Sequence, residues 1–169
     1  GAGELGGEQT KEVLYEGFGP HGVAVMAQAI TDNSNRTAAE IRGTFQKHGG
    51  TMGGQNSVAW MFKLQGVIRL PLAALGGKSA EDAELEAIDA GAEDVTVENE
   101  QLQIFTTPEK VRVVSAWLEK LGVAGFTAAT ELTPQTTVTL DEPGREQLYG
   151  LLEALDDQPD VTEVFSNDA

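Results

Sequence analysis

The stretch "GVIRLPLAALGGKSAEDAELEAIDAGAEDVTVENEQLQIFTT", residues 66–107, decides the fold that the sequence predicts. Its apolar beginning predicts a strand, and a helix follows that Ser79 caps and Gly91 ends. Two short strands come next, "EDVTVEN" and "QLQIFTT", with a turn near Asn99 and Glu100. The order is therefore strand, helix, strand, strand.

The residues that follow complete this unit. Thr107 and Pro108 are typical of the first residues of a helix, and apolar residues then recur at helical spacing as far as Gly122. A last strand is predicted from Val123 to about Leu132. Because βαββαβ is the order of a ferredoxin-like domain, we predict such a domain over residues 66–133.

The segments on either side are each incomplete. Residues 11–16 and 22–30 predict strands, "TAAEIRGTFQK" predicts a helix with a capping box at Thr37, and "SVAWMFKL" predicts a further strand. After Pro134, "QTTVTL", a leucine-striped helix and "VTEVFSN" predict a βαβ tail. The two segments complete one another if residues 11–65 and 134–169 form a split α+β domain, with residues 1–10 as a linker. The predicted fold class is α+β, with a ferredoxin-like domain inserted into a split domain.

Composition limits the chemistry. The chain has 169 residues and no cysteine, which excludes disulfides, thiolate metal sites and a cysteine nucleophile. No apolar run reaches the roughly 20 residues of a membrane span, so no membrane partner is expected. His48 precedes a Gly-Gly pair and is predicted to interact with a helix end. His21 has no second histidine at ligand spacing, so neither a metal nor another cofactor is expected.

Charge is uneven along the sequence. Residues 1–70 contain six Lys or Arg and six Asp or Glu, whereas residues 71–169 contain five and 21, within a net charge of −16. Acidic surface repels phosphate backbones. If nucleic acid binds this chain, the first 70 residues are the expected place.

The glycine-rich segment "YEGFGPHGVAV", Tyr15–Val25, has two interpretations. It is either a plain strand connection or a backbone surface that a ligand approaches closely. We expect the Phe18–Gly22 turn to be exposed beside the start of the helix at Thr37. Candidate contacts to phosphates or bases are Phe18, Gly19, His21, Gly22, Asn33, Asn35, Arg36, Arg42 and Lys47.

The block "YEGFGPHGVAVMAQAITDNSNRTAAEIRGTFQKHGGTMGGQNSVAWMF", residues 15–62, resembles the YebC/PmpR family, whose organellar relatives include the translational activator of cytochrome oxidase subunit I. "AIDAGAEDV", "TPQTTVTL" and "ALDDQPDVTEVFSN" extend the likeness over nearly the whole chain. The resemblance implies three domains, of which a basic N-terminal helical domain is absent here, and "GAGELGGEQ" is similar to the linker that follows it. Two departures stand out: His21 in "GPHG", where the family reads GPGG, and Asn56, where a glycine commonly precedes the serine.

The resemblance implies a non-enzymatic regulator of gene expression, a transcriptional regulator that binds DNA or a translation factor that binds RNA or the ribosome. The candidate residues above would be its contacts. The implied location is the bacterial cytoplasm, or the mitochondrial or plastid matrix in a eukaryote, and a monomer is expected. Two alternatives remain open: a protein-interaction module whose acidic C-terminal part docks a protein partner, and a hydrolase or transferase that uses His21 with a carboxylate.

Overall fold

The computed structural model describes residues 9–169, so the predicted linker, except for Gln9 and Thr10, lies outside the described residues. Eight strands and four α-helices occur in this described part of the chain: β1 Lys11–Phe18, β2 Ala24–Thr31, α1 Ser34–Lys47, β3 Thr51–Met52, β4 Phe62–Pro71, α2 Ala80–Ala90, β5 Asp94–Glu98, β6 Gln101–Thr106, α3 Val111–Lys120, β7 Thr127–Pro134, α4 Glu142–Asp156 and β8 Val161–Ser166.

These elements form two compact units. The split unit comprises the described residues up to Lys63 together with Pro134–Ala169, and the inserted unit is Leu64–Thr133. The sheet of the split unit has the strand order β3-β1-β2-β8, and that of the inserted unit β5-β6-β4-β7. The predicted fold class, α+β with a ferredoxin-like unit inserted into a split one, is confirmed.

The inserted unit follows the βαββαβ order. Ser79 caps α2 by accepting a hydrogen bond from the Asp82 amide, and Gly91 ends the helix with a φ of 127°. Asn99 and Glu100 both have positive φ, as a tight turn between β5 and β6 requires. A 3₁₀ turn at Pro108–Lys110 precedes α3, so the α-helix begins later than Thr107 and Pro108 predict.

Two strand predictions in the split unit are wrong. "SVAWMFKL" is not a separate strand, because a 3₁₀ turn occupies Ala59–Met61 and β4 then runs without a break from Phe62 to Pro71. The carboxylate of Glu16 accepts hydrogen bonds from backbone amides of this segment and so holds it as a loop. "QTTVTL" contributes an isolated bridge between Val138 and Asp168 rather than a strand of the sheet.

Helix α1 begins one turn earlier than predicted. Its N-cap is Asn33, whose side chain accepts a hydrogen bond from the Arg36 amide at 3.1 Å. Thr37 lies inside the first turn and is fully buried. The predicted capping box at Thr37 is therefore wrong, because asparagine is a stronger N-cap than threonine and Asn33 lies four residues earlier in the chain.

Helices α1 and α4 contribute to one hydrophobic core with the sheet of the split unit. Phe45 from α1 and Leu148, Leu151 and Leu155 from α4 are fully buried and belong to a cluster with Val25 of β2. This packing fixes both helices relative to the ends of the strands. No helix within residues 9–169 has the length and apolar character to cross a membrane.

Candidate nucleic-acid interface

The glycine-rich turn joins β1 to β2 at one end of the sheet. A short 3₁₀ turn covers Pro20–Gly22, in which His21 has a φ of 62° and Gly22 a φ of 78°. The Phe18 side chain is 37% exposed, and His21 and Gly22 are also exposed. Gly19 and Pro20 are buried, so only part of the turn is open to a ligand.

The glycines of this region permit close approach of the protein to itself. A Cβ atom on Gly17 would lie 2.6 Å from the Thr51 carbonyl oxygen, and one on Gly50 would lie 2.5 Å from the Phe18 carbonyl oxygen. On Gly19 it would lie 3.0 Å from a methyl group of Leu151. The Gly19 amide also donates to the Val23 carbonyl at 2.7 Å. Internal packing therefore explains much of the glycine surplus without a ligand.

The turn lies beside the end of α1, and the expectation that it lies beside the helix start is wrong. Gly50, three residues after α1, touches the backbone of Phe18 and Gly19. The helix start follows the far end of β2, and β2 has eight residues. At about 3.3 Å per residue, the turn and the start of α1 are separated by roughly the length of that strand.

The candidate residues thus fall into groups. Phe18, Gly19, His21 and Gly22 lie at the turn, and Lys47 ends α1 near them. Asn33, Asn35 and Arg36 lie at the opposite end of the sheet, where α1 begins, and Arg42 lies between the two ends. The structure does not bring the whole predicted set together on one small patch.

Arg36 is already matched by carboxylates of its own unit. Its guanidinium lies 2.9 Å from a carboxylate oxygen of Asp160, 3.5 Å from one of Asp32 and 3.8 Å from one of Glu40. The hydrogen bond with Asp160 is the main cause that raises the pKa of Arg36. A phosphate at this position would have to compete with three negative charges.

Asp160 connects the start of α1 to the segment that leads into β8. Its carboxylate accepts hydrogen bonds from the Thr37 hydroxyl at 2.8 Å and from Arg36. These two bonds, with Thr37 the larger cause, lower the pKa of Asp160 below its ordinary value. Arg36 therefore has a structural task, which its sequence position alone does not reveal.

Arg42 and Lys47 differ from Arg36. Both side chains are exposed on α1, and no ion pair connects either of them to a carboxylate within residues 9–169. Arg42 lies one turn before Gln46, which is also exposed, and Lys47 is the last residue of the helix. Their positive charges are available to an external anion.

Both histidines make hydrogen bonds. A ring nitrogen of His21, Nε2, lies 3.1 Å from the side-chain oxygen of Gln147 on α4. His48 is the C-cap of α1, and its Nδ1 lies 3.0 Å from the Thr44 carbonyl oxygen, which confirms the predicted interaction with the helix end. No group of three or more metal-binding side chains occurs in the part of the chain that the structure describes.

Sequence reasoning missed the loop between β3 and β4. The buried carboxylate of Glu16 accepts three backbone hydrogen bonds from it, at 2.8 Å from Asn56, 3.0 Å from Val58 and 2.8 Å from Ala59. Trp60 lies in this loop and is 64% exposed. A groove of about 870 Å³ runs between the loop and β1. The pairs Gly53-Gly54 and Asn56-Ser57 are the loop signals that could have revealed it.

Comparison with known proteins identifies a family and several relatives that this chain resembles. A family model described as the TACO1/YebC second and third domain matches residues 10–168. Two proteins named "Probable transcriptional regulatory protein" align with 99% of the chain: one from Syntrophus aciditrophicus is 44% identical with 66% of its length covered, and one from Kosmotoga olearia is 46% identical with 65% covered. The crystal structure of a conserved hypothetical protein from Aquifex aeolicus is 43% identical, has a TM-score of 0.83, and matches 99% of this chain and 68% of its own. The chain spans about two thirds of the length of the curated relatives it matches.

Proposed function

The chain belongs to the TACO1/YebC family, and we propose that it regulates gene expression without catalysis, by binding nucleic acid or the ribosome. The regulatory role is supported by its relatives, which are named probable transcriptional regulatory proteins. Binding of DNA would make it a transcriptional regulator, and binding of RNA or the ribosome would make it a translational activator.

The observation that carries this proposal is the pair of unmatched cations on α1. Arg42 and Lys47 are exposed without a carboxylate partner within residues 9–169, although the unit around them is acidic. Arg and Lys that keep their charge free are the groups that neutralise phosphates and release counterions. The Phe18 ring, at the same end of the unit as Lys47, offers a face on which an unstacked base can lie.

Arg36 contributes less to this surface than its exposure indicates. Asp160, Asp32 and Glu40 already surround its guanidinium. Neutralising Arg36, Arg42 or Lys47 changes the net charge by the same amount, but only Arg42 and Lys47 offer a free charge. The three substitutions therefore form a matched set for a binding test.

The affinity of this chain for phosphates is expected to be modest. The described part of the split unit contains six Lys or Arg and 13 Asp or Glu, and the inserted unit contains five and 12, so each carries a net charge of −7. A surplus of this size opposes nucleic acid at long range.

The test compares Lys47→Gln, Arg42→Gln and Arg36→Gln. Binding of fluorescently labelled single-stranded RNA and duplex DNA is measured by anisotropy at about 50 and about 150 mM salt. Ribosome binding is measured by co-sedimentation in parallel. We expect Lys47→Gln and Arg42→Gln together to weaken binding about tenfold or more and to reduce the salt dependence, since two phosphate contacts are lost.

Arg36→Gln is the matched control. It should weaken binding less than either of the other two changes but lower the thermal midpoint more, because it removes the partner of Asp160. Equal loss of binding for all three variants would mean that only net charge matters, and the proposed surface would be wrong. If neither RNA, DNA nor ribosomes bind, and a protein partner does, the protein-docking alternative replaces the proposal.

A further inference from the structure

The open edge of β1 is the feature that the proposed function leaves unused. β3 pairs with β1 only at Gly17 and Phe18, and the next bond on this side is donated by the Gly53 amide to the Glu16 carbonyl at 2.8 Å. The chain then leaves the sheet for the loop that ends in β4. Within the described residues, no strand pairs with the first part of β1 on this side, and the position that such a strand would occupy forms an open lane beside it.

The direction of the backbone groups along this edge follows from that bond. The Glu16 carbonyl points toward the β3 side, and alternate residues of a strand point their N–H and C=O groups the same way. The backbone groups of Leu14 and Glu12 therefore also face the open lane. The β1–β2 ladder uses the other edge of β1, so these groups remain available for pairing.

The groove occupies this lane. Residues 12–16 of β1 form one wall, and Gly53, Gly54, Gln55, Asn56 and Ala59 form the other, around a volume of about 870 Å³. A Cβ on Gly54 would meet no atom within 4 Å apart from those of its two chain neighbours, so the loop is open to solvent at this point. The three hydrogen bonds from the loop to Glu16 hold this wall in place.

The chemistry of the groove selects its occupant. Glu12 and Glu16 are the charged residues of the lining, and the hydrogen bonds to Glu16 leave Glu12 as the free charge. Leu14 is 38% exposed beside it and supplies apolar contact. We propose that this groove binds an extended, basic peptide segment of a protein partner, which adds a strand to the open edge of β1 and places a Lys or Arg near Glu12.

This mode differs from recognition of nucleic acid. A strand supplies both N–H and C=O groups to the backbone of Leu14 and Glu12, whereas a phosphate backbone supplies acceptors only and is repelled by Glu12. An open strand edge can pair with unrelated chains and cause aggregation. Here the loop that Glu16 holds in place and the charge of Glu12 restrict which peptide segments can pair with β1. The inference does not depend on the proposed nucleic-acid surface, because it uses none of its residues.

The test uses the complete 169-residue chain and a synthetic peptide of about six residues, which is the length that the open part of β1 accommodates. The peptide alternates valine with lysine and has both ends blocked. Binding is followed by the amide signals of the ¹⁵N-labelled protein. We expect the signals of Glu12, Leu14 and Gly53–Asn56 to shift, and a copy of the peptide methylated on every backbone nitrogen to cause no such shift.

Two protein variants separate the groove from net charge. Glu12→Lys should weaken binding of the lysine-valine peptide about tenfold or more, while Glu146→Lys, an equal charge change on the exposed side of α4, should leave it nearly unchanged. The methylated peptide needs no change to the protein, so it decides the matter even if Glu12→Lys folds poorly.

Other outcomes overturn the inference. Equal binding of the methylated peptide, or equal weakening by both variants, would show nonspecific attraction between charges. A short single-stranded RNA that shifts the same amides and displaces the peptide would assign the groove to nucleic acid. Concentration-dependent shifts of these amides without peptide would assign the edge to a second copy of the chain.

Discussion

His21 and Asn56 are the two positions at which the resemblance leads one to expect glycine, and both have positive φ, of 62° and 66°. A side chain in this left-handed region costs roughly 1–2 kcal/mol, and Asn and His tolerate it better than most residues do. The departures from the family pattern therefore preserve the backbone shape. The glycine that the resemblance implies at these two positions would serve this backbone conformation, with no need for space around a ligand.

Asn56 gives a direct test of this explanation. Its amide donates to Glu16 whatever side chain is present, so substitution changes the backbone preference and little else. We expect Asn56→Ala to lower the free energy of unfolding by about 1 kcal/mol, and Asn56→Gly to change it by less than about 0.5 kcal/mol. Urea denaturation of the two variants measures both values. If alanine is tolerated as well as glycine, the left-handed conformation is not what this position requires.

Helix α1 shows which parts of an element the sequence can predict. Its apolar spacing and the Gly49-Gly50 pair predicted its existence and its end, because these are local signals. Its start was misplaced because Asn33 and Thr37 are both good caps, and the choice depends on Asp160, more than 120 residues away in sequence. The same long-range contact engages Arg36, whereas Arg42 and Lys47 have no carboxylate partner within residues 9–169. The sequence could therefore name the candidate residues but could not show which of them keep a free charge.

The contact between α1 and Asp160 makes stability depend on pH. The pKa of Asp160 is lowered in the folded protein, so its contribution is fully present above the ordinary value of 3.8 and is lost as the pH falls through the lowered pKa. Asp160→Asn should lower the urea midpoint at neutral pH, and the difference from the parent should shrink as the pH falls below about 4. Asp157→Asn, which removes an exposed carboxylate nearby, is the control and should preserve the parent profile. A difference that stays constant down to low pH would contradict the assignment.

The distribution of charge over the folded units differs from its distribution along the sequence, and this changes what it indicates about binding partners. Along the sequence the acidic surplus lies after residue 70, which suggested a neutral half for nucleic acid and an acidic half for a protein partner. Residues 134–169 fold with the N-terminal segment, and the described part of the split unit then carries the same net charge, −7, as the inserted unit. Sequence order could not predict this balance, because it follows from which segments share a core. Specific free groups, such as Lys47 and Glu12, therefore carry more information about partners than the overall charge does.

The two cores lead to a prediction about independent folding. One buried cluster runs from Ile68 to Val123 and lies entirely within the inserted unit, while the other joins Tyr15 to Leu155 within the split unit. We expect Leu64–Thr133, produced alone, to unfold cooperatively on heating, because its core is complete and both ends belong to neighbouring strands of one sheet.

A buried substitution shows whether that isolated unit has the native core. Leu118 is fully buried and belongs to this cluster, so Leu118→Ala should lower the free energy of unfolding by about 3 kcal/mol. Leu121→Ala, on the partly exposed residue after α3, should cost about 1 kcal/mol or less. The converse fragment, residues 9–63, lacks α4 and β8 and with them Leu148, Leu151 and Leu155, so it should show no cooperative transition. Calorimetry of the two fragments provides the comparison. A cooperative transition in residues 9–63, or its absence in Leu64–Thr133, would mean that the cores are not separate in the way their packing indicates.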